Sequence, residues 1–279
     1  GTSITLPPEG GLLATTWAEL APELLVRFEQ SAAVLLLDPL KDGLLRYNDL
    51  VPLYQRTAPT ELFLWFSHQR METQILPSLR TREGAAALTN LLRGDHWKRL
   101  LTKEPDQPQT LINGLIRLCA ESMQAHFFSV QHWVFPVHYG PAHVAQAPYT
   151  LLFATRRQDS LASFNDACCQ RTRRLVAASQ QGVLNEHWFA HQRVKQIASA
   201  WETLAQEALT LGRAQRIRHW PELRQQLLLA HFGQHTLYEY DQIITTLLAR
   251  GSVRCEWRKR SQETTEAPLP GPGDLLLWR

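Results

Sequence analysis

The side chains with the plainest chemical capacity form a basic cluster near the C-terminus. Arginine and lysine side chains bind phosphate oxygens, and such contacts position a protein on nucleic acid without reading its sequence. The cluster consists of Arg213, Arg216, Arg218, Arg224, Arg254, Arg258, Lys259 and Arg260. The acidic residues near it are Glu222, Glu239, Asp241 and Glu256. Because cations outnumber anions here, the pattern favours nucleic-acid binding, and a merely solvated surface is the alternative.

Asp38 is the second candidate because of its place after an apolar run. The run Ala32–Leu37 leads without interruption into Asp38-Pro39. An apolar run that turn residues close predicts a parallel strand buried on both faces. Ligands of open α/β sheets bind just beyond the carboxyl ends of such strands, where Asp38 would lie. The same two residues are equally consistent with a turn that only ends the strand.

Histidine spacing suggests a metal pair but lacks the rest of a metal motif. His187 and His191 are four residues apart on a predicted helix, so they could share an ion. The zincin motif also needs a glutamate directly after the first histidine, and Trp188 occupies that position. We therefore predict a solvated helix face and no metal site. His132 and His138 are interpreted as exposed positions on a strand.

Composition indicates a globular protein of a reducing compartment. Hydrophobic residues make up 44% and charged residues 20% of the 279 residues, with a net charge of +3, which is ordinary for such proteins. The cysteines show no C-x-x-C spacing, which argues against structural zinc and against a disulfide framework; they are Cys119, Cys168, Cys169 and Cys255. No apolar run reaches transmembrane length, and no signal peptide is visible. We predict a cytoplasmic protein without membrane contact, and expect a fragment or processed chain because the sequence begins at Gly1.

The first part of the chain alternates predicted helices and strands. Apolar spacing predicts a helix within Thr15–Phe28 whose regular part begins at Pro22, because proline is tolerated only near a helix start. The strand Ala33–Leu37 follows, then a helix over Leu44–Gln55 that its proline interrupts, then a second buried strand, Thr60–Ser67. This alternation is typical of a parallel sheet.

The next part predicts the other side of the sheet. A helix over Thr110–His126 precedes two apolar runs, Phe127–Tyr139 and Pro148–Thr155. Their connection is too short for a helical crossover, so we expect the two strands to be antiparallel. Pro136 lies within the first run and predicts an edge strand.

The C-terminal third is predicted to be helical before a final compact module. Helices are expected over Ser160–Ser179 and Asn185–Leu211, and Gly212 with the basic run through Arg218 is interpreted as a linker. The module itself is predicted as two helices and a β-hairpin with a long loop, which is the outline of a winged helix. Its predicted elements are a helix over Trp220–Phe232, a helix over Tyr240–Arg250 opened by the capping box Thr236–Glu239, and the strands Ser252–Lys259 and Asp274–Trp278.

Taken together, these segments resemble the three-Cys-motif partner proteins, a bacterial and phage family with a methyltransferase-like domain followed by a winged helix. The matching segments are Val34–Pro39, Thr60–Ser67, Gly94–Trp97, Tyr149–Thr155 and the terminal winged helix. The resemblance implies three regions: a partial methyltransferase-like α/β domain at 1–180, a helical connector at 181–212, and a winged helix-turn-helix domain at 213–279.

Within a class I methyltransferase-like (Rossmann-type) sheet, the resemblance makes Ala33–Leu37 the fourth strand and Thr60–Ser67 the fifth. The antiparallel hairpin supplies the sixth and seventh strands, with the sixth at the edge. The first three strands would need more than the roughly 30 residues before Ala33, since one βαβ unit takes about that length. The expected fold class is therefore α/β, the C-terminal half of such a sheet, followed by a helical segment and a winged helix.

The resemblance also implies a chemistry for Asp38 and Pro39. Amino-methyltransferases place an (Asp/Asn)-Pro-Pro-aromatic motif here, whose Asp side chain and Pro carbonyl accept hydrogen bonds from the target amine. Asp38 and Pro39 are thus candidate catalytic residues, although Leu40 and Lys41 replace the second proline and the aromatic residue. No G-x-G loop precedes Ala33, so S-adenosylmethionine is implied only with a further N-terminal segment.

The function implied is that of a nucleic-acid-associated, methyltransferase-like protein that acts with a partner protein carrying a cysteine motif. A catalytically inactive scaffold, whose winged helix binds a partner protein or DNA, is the alternative. The predicted exposed side of the second helix has no basic residue before Arg250, which weakens DNA recognition by that helix; it offers Tyr240, Asp241, Gln242, Thr245 and Thr246. A complete small α/β protein without methyltransferase ancestry is the third possibility.

Overall fold

A computed structural model describes residues 15–40, 45–103, 107–135, 148–179, 186–258 and 269–278. The chain divides into two compact units. The first comprises Gly1–Val130 and Leu152–Arg156, and the second comprises Gln131–Leu151 and Arg157–Arg279. The predicted domain boundaries at residues 180 and 212 remain a prediction.

The described residues of the first unit form seven helices, a π-helical turn and most of a sheet. The helices are α1 (Trp17–Arg27), α2 (Tyr47–Gln55), α3 (His68–Arg70), α4 (Leu76–Ser78), α5 (Arg82–Leu92), α6 (Lys98–Lys103) and α7 (Pro108–Met123), and the π-helical turn is Met71–Ile75. The strands of the sheet are β1 (Ala33–Leu37), β2 (Thr60–Ser67), β3 (Ser129–Val134) and β4 (Tyr149–Thr155); residues 131–134 of β3 and 149–151 of β4 belong to the second unit.

These four strands form one mixed sheet in the order β1-β2-β4-β3. β1 and β2 are parallel, in a register that pairs Ala33 with Thr60 and Leu37 with Leu64. Helices account for 58% and strands for 16% of the structure, so the prediction of an α/β protein is confirmed. The predicted bounds of β1 and β2 agree with the structure, and β3 lies at the predicted sheet edge. The relation to methyltransferases remains a prediction.

The prediction that β1 is buried on both faces is wrong. Val34 is 73% and Leu36 is 64% exposed, whereas Leu35 is 9% exposed. The reason is that the core cluster packs against one face of β1 only, the face that carries Ala33, Leu35 and Leu37. The core cluster of this unit includes Leu53, Leu62, Leu64, Met123 and Leu152, whose side chains are fully buried.

Two prolines lie inside helices instead of starting or interrupting them, which corrects both expectations. α1 begins at Trp17 and contains Pro22. Its first turn is fixed by the Glu19 carboxylate, which accepts the N–H of Thr16 at 3.3 Å, and by the indole of Trp17, which donates to the carbonyl of Asp49 at 2.8 Å. α2 likewise continues through Pro52. These capping and tertiary contacts outweigh the hydrogen bond that a helical proline cannot make.

Besides parts of β3 and β4, the described residues of the second unit form four long helices and a two-stranded sheet. They are α8 (Gln158–Ser179), α9 (Glu186–Ala214), α10 (Trp220–Ala230), α11 (Leu237–Ala249), β5 (Val253–Glu256) and β6 (Leu275–Trp278). β5 and β6 are antiparallel, with Val253 opposite Trp278 and Glu256 opposite Leu275. The predicted capping box is confirmed, since the N–H of Thr236 donates to Glu239 at 2.8 Å and Thr236 caps α11.

The linker predicted at Gly212–Arg218 is wrong in its first part. α9 continues to Ala214, and Gly212 lies within it. A Cβ atom at this glycine would lie 2.3 Å from the ring of Trp278. Gly212 is therefore a point of close packing between α9 and β6, and the helix continues through it because this contact compensates for glycine's low helix propensity.

Candidate functional site

Asp38 directly follows β1, and both oxygens of its carboxylate have partners. Oδ1 accepts the backbone N–H of Leu40 at 3.0 Å, and Oδ2 lies 2.6 Å from Nη1 of Arg70. Arg70 lies in α3, immediately after β2, so this ion pair joins the carboxyl ends of two neighbouring strands. The Arg70 and Asp38 side chains are 36% and 30% exposed, which leaves the pair open to solvent.

The carbonyl of Pro39 also has a partner, because it accepts the N–H of Leu45 at 3.0 Å. The two acceptors that the resemblance assigns to a target amine are thus already bonded within the chain. Leu40 is 6% exposed and packs into the core. With these contacts, Asp38 and Pro39 form a turn at the end of β1. The catalytic role of both residues remains a prediction.

A buried histidine and a π-helical turn follow β2. His68 is 3% exposed, and its Nδ1 lies 3.0 Å from Nε2 of Gln109. Burial lowers the pKa of His68, and the Gln109 hydrogen bond opposes that shift. The turn Met71–Ile75 comes next, and such turns are frequent at functional sites. The sequence predicts neither, because no local pattern distinguishes a π-turn from an α-helix and because Gln109, the partner of His68, lies 41 residues further along the chain.

A polar and aromatic cluster lies between α2 and the end of α7. The hydroxyl of Tyr47 is 2.6 Å from Nε2 of His126, and Nη1 of Arg93 donates to the same hydroxyl at 3.2 Å. The ring of His126 stacks on Tyr54 with centroids 4.2 Å apart. Burial lowers the pKa of His126, and the charges of Arg93 and Arg156 lower it further. Because Arg93 donates to the Tyr47 hydroxyl, that hydroxyl can donate a hydrogen bond to Nε2 of a neutral His126.

Arg156, at the end of β4, holds the carboxyl end of α2. Its guanidinium donates to the carbonyls of Tyr54 at 2.6 Å and Leu53 at 3.3 Å, and also to the carbonyl of Arg56. Its Nε donates to the carbonyl of His126 at 3.1 Å. The last carbonyls of a helix lack partners within the helix. Arg156 supplies a donor to the carbonyl of Tyr54, and a second donor to the carbonyl of Leu53, which also accepts the N–H of Arg56.

In the second unit, β6 lies between β5 and the segment that follows α9. The N–H of Leu276 donates to the carbonyl of Arg218 at 2.7 Å, and the indole of Trp278 donates to the carbonyl of Ile217 at 2.6 Å. The carboxylate of Asp274 accepts the N–H groups of Gly271 at 2.8 Å and Arg258 at 2.9 Å. These two hydrogen bonds lower the pKa of Asp274 and tie the connection between β5 and β6 to the start of β6.

The basic residues predicted to bind nucleic acid are placed in three different settings. Exposed side chains in the last turn of α9, just after it or on the hairpin are those of Arg213, Arg216, Arg218, Arg254 and Arg258. Lys259 and Arg260 lie outside the described residues. Arg218 and Arg254 lie on opposite sides of β6, since Arg218 bonds Leu276 and Arg254 is opposite Leu277.

Arg224 differs from the others because it is engaged inside the module. Its Nη1 lies 3.1 Å from both carboxylate oxygens of Asp241. The indole of Trp220 donates to Oδ1 of the same carboxylate at 2.9 Å. The pair links α10 to α11, so Arg224 is held by a structural contact.

The outward residues of α11 are less available than the sequence predicted. Tyr240 is fully buried, which corrects its assignment to the exposed side. Thr245 and Thr246 both donate to the carbonyl of Gln242 at 2.8 Å. The start of α11 is bound by α8, since Asp166 accepts the N–H of Leu237 at 2.9 Å. Base recognition by α11 therefore has few polar groups to use.

A groove of about 980 Å³ lies beside α10 in the same unit. Its walls are mainly apolar, and its lining includes Leu161, Trp220, Leu228, Leu237 and Leu269. The charged side chains at its rim are neutralised, because Arg157 pairs with Asp159 and Arg224 with Asp241. The groove thus has the character of an apolar surface and not of an anion site.

Comparison with protein families, with curated proteins and with solved structures found no match. In the part of the chain that the structure describes, no group of three or more His, Cys, Asp or Glu residues is arranged to hold a metal ion. None of the described helices combines the length and apolar character needed to cross a membrane. The side chains of His187 and His191, and all of His138, lie outside the described residues, whereas His132 is exposed on β3 as predicted.

The sequence did not point to the residues whose polar side chains connect separate elements of the first unit. Arg70, Arg93, Tyr47, His126 and Arg156 were not singled out. One signal was available, because Arg70 follows a predicted strand just as Asp38 does, and the carboxyl ends of parallel strands meet at one edge of a sheet. The contacts of Arg156 span about a hundred residues, and no local pattern reports them.

Proposed function

We propose that this chain is a nucleic-acid-associated protein whose C-terminal module contacts the phosphate backbone. The observation that carries the proposal is the placement of exposed arginines on both sides of β6. Arg218 lies on one side, and Arg254 and Arg258 lie on the other. Arg216, Arg218, Arg254 and Arg258 form no ion pair among the described residues. Their charges are therefore available to phosphates.

The arrangement of the module supports this interpretation over sequence-specific recognition by a helix. Its element order of helix, short pairing segment, two helices and hairpin is the one expected of a winged helix, with β6 between Arg218 and β5. Most polar groups on α11 are already bonded within the chain, as described above. Contacts from arginines to phosphates position a protein without reading bases, so we expect binding with little sequence preference.

The experiment measures binding of the full chain to a labelled duplex by fluorescence anisotropy at several salt concentrations. The double variant Arg254→Gln/Arg258→Gln should bind several unrelated duplexes more weakly than the wild type does. The loss of affinity should be the same for each duplex. The slope of log K against log salt should become shallower by about 0.9 for each phosphate that the variant no longer neutralises. Arg117→Gln, on α7 and 67% exposed, is the control and should bind as the wild type. Unchanged binding of the double variant would refute the proposal.

The first unit is proposed to be methyltransferase-like. The support is its strand order, since β1-β2-β4-β3 corresponds to the fourth, fifth, seventh and sixth strands of that fold class, with β1 and β2 parallel. Under this hypothesis, the chain is similar to the three-Cys-motif partner proteins and acts with a partner protein. Titration calorimetry with S-adenosylmethionine, on a longer chain that also carries a glycine-rich segment before Ala33, tests whether the sheet binds the cofactor, and a heat of binding would support the hypothesis.

A catalytically inactive scaffold is the second candidate. It is favoured by the contacts of Asp38 and Pro39, whose acceptor groups are already bonded to Arg70, Leu40 and Leu45. A scaffold predicts duplex binding without any heat from S-adenosylmethionine. It also predicts that Asp38→Asn leaves duplex binding unchanged, because Asp38 then serves only the turn after β1.

A further inference from the structure

Three arginines of the first unit, at or beside α2, have no acidic partner among the described residues. Arg56 follows α2, Arg93 ends α5, and Arg156 follows β4. The guanidinium groups of Arg56 and Arg156 donate only to main-chain carbonyls and to one hydroxyl. None of the three takes part in an ion pair with a described residue. Because buried charges in proteins are ordinarily paired, an anion bound here would supply the missing pairing.

Two of these charges are withdrawn from water. Arg56 is 8% exposed, and Arg156 is half-buried. Burial lowers the pKa of Arg156, and the positive charge of Arg56 lowers it further. The pKa of His126 is lowered by burial and also by the charges of Arg93 and Arg156. The arginines therefore create a positive potential around His126, and such a potential attracts anions.

Arg93 has a backbone conformation that its residue type disfavours. Its φ is 54° and its ψ is 36°, in the left-handed region. Glycine is the usual residue at this position after a helix, and here the glycine, Gly94, comes one residue later. Strained positions of this kind are concentrated at functional sites. The arginine in place of a glycine therefore indicates that the guanidinium at this position has a use.

The guanidinium of Arg93 is held in place, yet most of its donors are unused. Its Cζ lies 4.5 Å from the centroid of the Tyr47 ring, and its Nη1 donates to the Tyr47 hydroxyl at 3.2 Å. A guanidinium carries several further N–H groups in a planar fork, and the Arg93 side chain is exposed. This fork matches two oxygens of a phosphate or carboxylate. Tyr47 thus fixes Arg93 in a position from which it can bind an oxyanion.

His126 supplies a second donor beside the first. Its Nε2 lies 2.6 Å from the same Tyr47 hydroxyl that Arg93 contacts, so the imidazole and the guanidinium are neighbours. A neutral imidazole that accepts at Nε2 carries its proton on Nδ1, and Nδ1 has no hydrogen-bond partner among the described residues. The ring is fixed by stacking on Tyr54, with centroids 4.2 Å apart. Donors from two separate elements are thus placed together.

We propose that Arg93 and His126 bind a doubly charged phosphate, either free or as a phosphomonoester. A monoester carries close to two negative charges at neutral pH, whereas a phosphodiester or a carboxylate carries one. Arg56 and Arg156 spend their hydrogen bonds within the chain, so they act on the anion through their charge. A dianion compensates more of that charge than a monoanion does. The site lies in the first unit and does not depend on duplex binding by the C-terminal module.

A bound dianion reverses the electrostatic environment of His126. The groups that face this ring are the hydroxyl of Tyr47 and the ring of Tyr54 from α2, the guanidinium of Arg93 from α5, and that of Arg156 beyond β4. All the charges among them are positive. Two negative charges beside the ring favour the protonated imidazole, so the pKa of His126 should rise when phosphate binds. Affinity should accordingly increase as pH falls toward the pKa of the free protein.

Titration calorimetry of the full chain at low salt, with four small anions, tests the proposal. Inorganic phosphate and methyl phosphate should bind, whereas dimethyl phosphate and acetate should bind more weakly by more than about tenfold, because each carries a single charge. Tighter binding of methyl phosphate than of inorganic phosphate would identify a monoester as the ligand, and the reverse order would identify free phosphate. A wild type that binds none of the four, or binds acetate as tightly as phosphate, would overturn the proposal.

Arg93→Gly removes the guanidinium and suits the left-handed backbone, so it should fold and lose phosphate affinity by more than about tenfold. Arg93→Lys keeps the charge without the fork and should have an intermediate affinity. Arg82→Gln, at the exposed first residue of the same helix, is the control and should bind phosphate as the wild type. Phosphate should also raise the pKa of His126, followed by NMR, in the wild type and not in Arg93→Gly. Equal phosphate affinity in Arg93→Gly and the wild type would refute the site.

Discussion

The ring of Trp278 occupies the space that a side chain at residue 212 would need. A Cβ atom at Gly212 would lie 2.3 Å from this ring, and the indole is fixed by its hydrogen bond to the carbonyl of Ile217. The contact joins the end of α9 to the last strand, and it accounts for a glycine within a continuous helix.

Gly212→Ala should therefore destabilise the protein despite alanine's higher helix propensity. Overpacking of a well-packed site costs about 1–3 kcal/mol, which exceeds or offsets the gain of about 1 kcal/mol from replacing a helical glycine. Urea denaturation followed by circular dichroism measures the change. Gly114→Ala is the control, because its new Cβ would meet only the flexible end of Leu100. A loss of stability in Gly114→Ala without a loss in Gly212→Ala would contradict overpacking against Trp278 as the cause.

Arg156→Lys should lower the free energy of unfolding although it preserves the charge. Lysine cannot donate to the carbonyls of Leu53, Tyr54 and Arg56 together. The Leu53 carbonyl keeps the N–H of Arg56, but an acceptor left unsatisfied at Tyr54 or Arg56 costs about 1–3 kcal/mol. We expect a loss of more than about 2 kcal/mol in chemical denaturation. Arg157→Lys, at the neighbouring residue, alters an exposed ion pair with Asp159 and should change stability by less than about 1 kcal/mol.

His68 should make the protein less stable in mild acid. Its pKa in the folded protein is below the ordinary value of 6.5 because of burial. As pH falls below 6.5, the unfolded chain binds a proton that the folded chain does not, so the free energy of unfolding decreases until the folded pKa is reached. His68→Gln should reduce this dependence, measured as denaturation midpoints across pH. His132→Gln, exposed on β3, should leave it in place.

The Asp38–Arg70 pair should contribute only modestly to stability. Both side chains are about one-third exposed, and exposed pairs contribute about 0–1 kcal/mol. Arg70→Met should therefore cost less than Asp38→Ala, which also removes the acceptor for the N–H of Leu40. A double-mutant cycle in urea separates the two contributions. Equal losses in both single variants would indicate that the turn does not depend on this acceptor.

The sequence predicted those elements whose signals are local. β1 and β2 were placed correctly because each is a continuous or alternating apolar run, and α11 because Thr236 and Glu239 form a capping box. The errors have a common physical origin in distant contacts. Pro22, Pro52 and Gly212 were expected to limit helices, yet the contacts of Trp17 with Asp49 and of Gly212 with Trp278 sustain α1 and α9.

The candidate site was predictable only in part for the same reason. The basic residues were evident from composition, whereas the commitment of Arg224 to Asp241 depends on how α10 and α11 pack. The position of Asp38 after a strand was predicted correctly. Its partner Arg70 lies 32 residues further along the chain, and only the parallel pairing of β1 with β2 brings the two together.

The guanidinium of Arg156 also has a kinetic consequence. The carbonyls it binds at the end of α2 belong to residues about a hundred positions earlier in the chain. Until β4 has been synthesised and has joined the sheet, the last turn of α2 has no such partner, so it should fray in nascent or truncated chains. Completion of α2 is therefore a late event in folding, limited by the closure of a long loop.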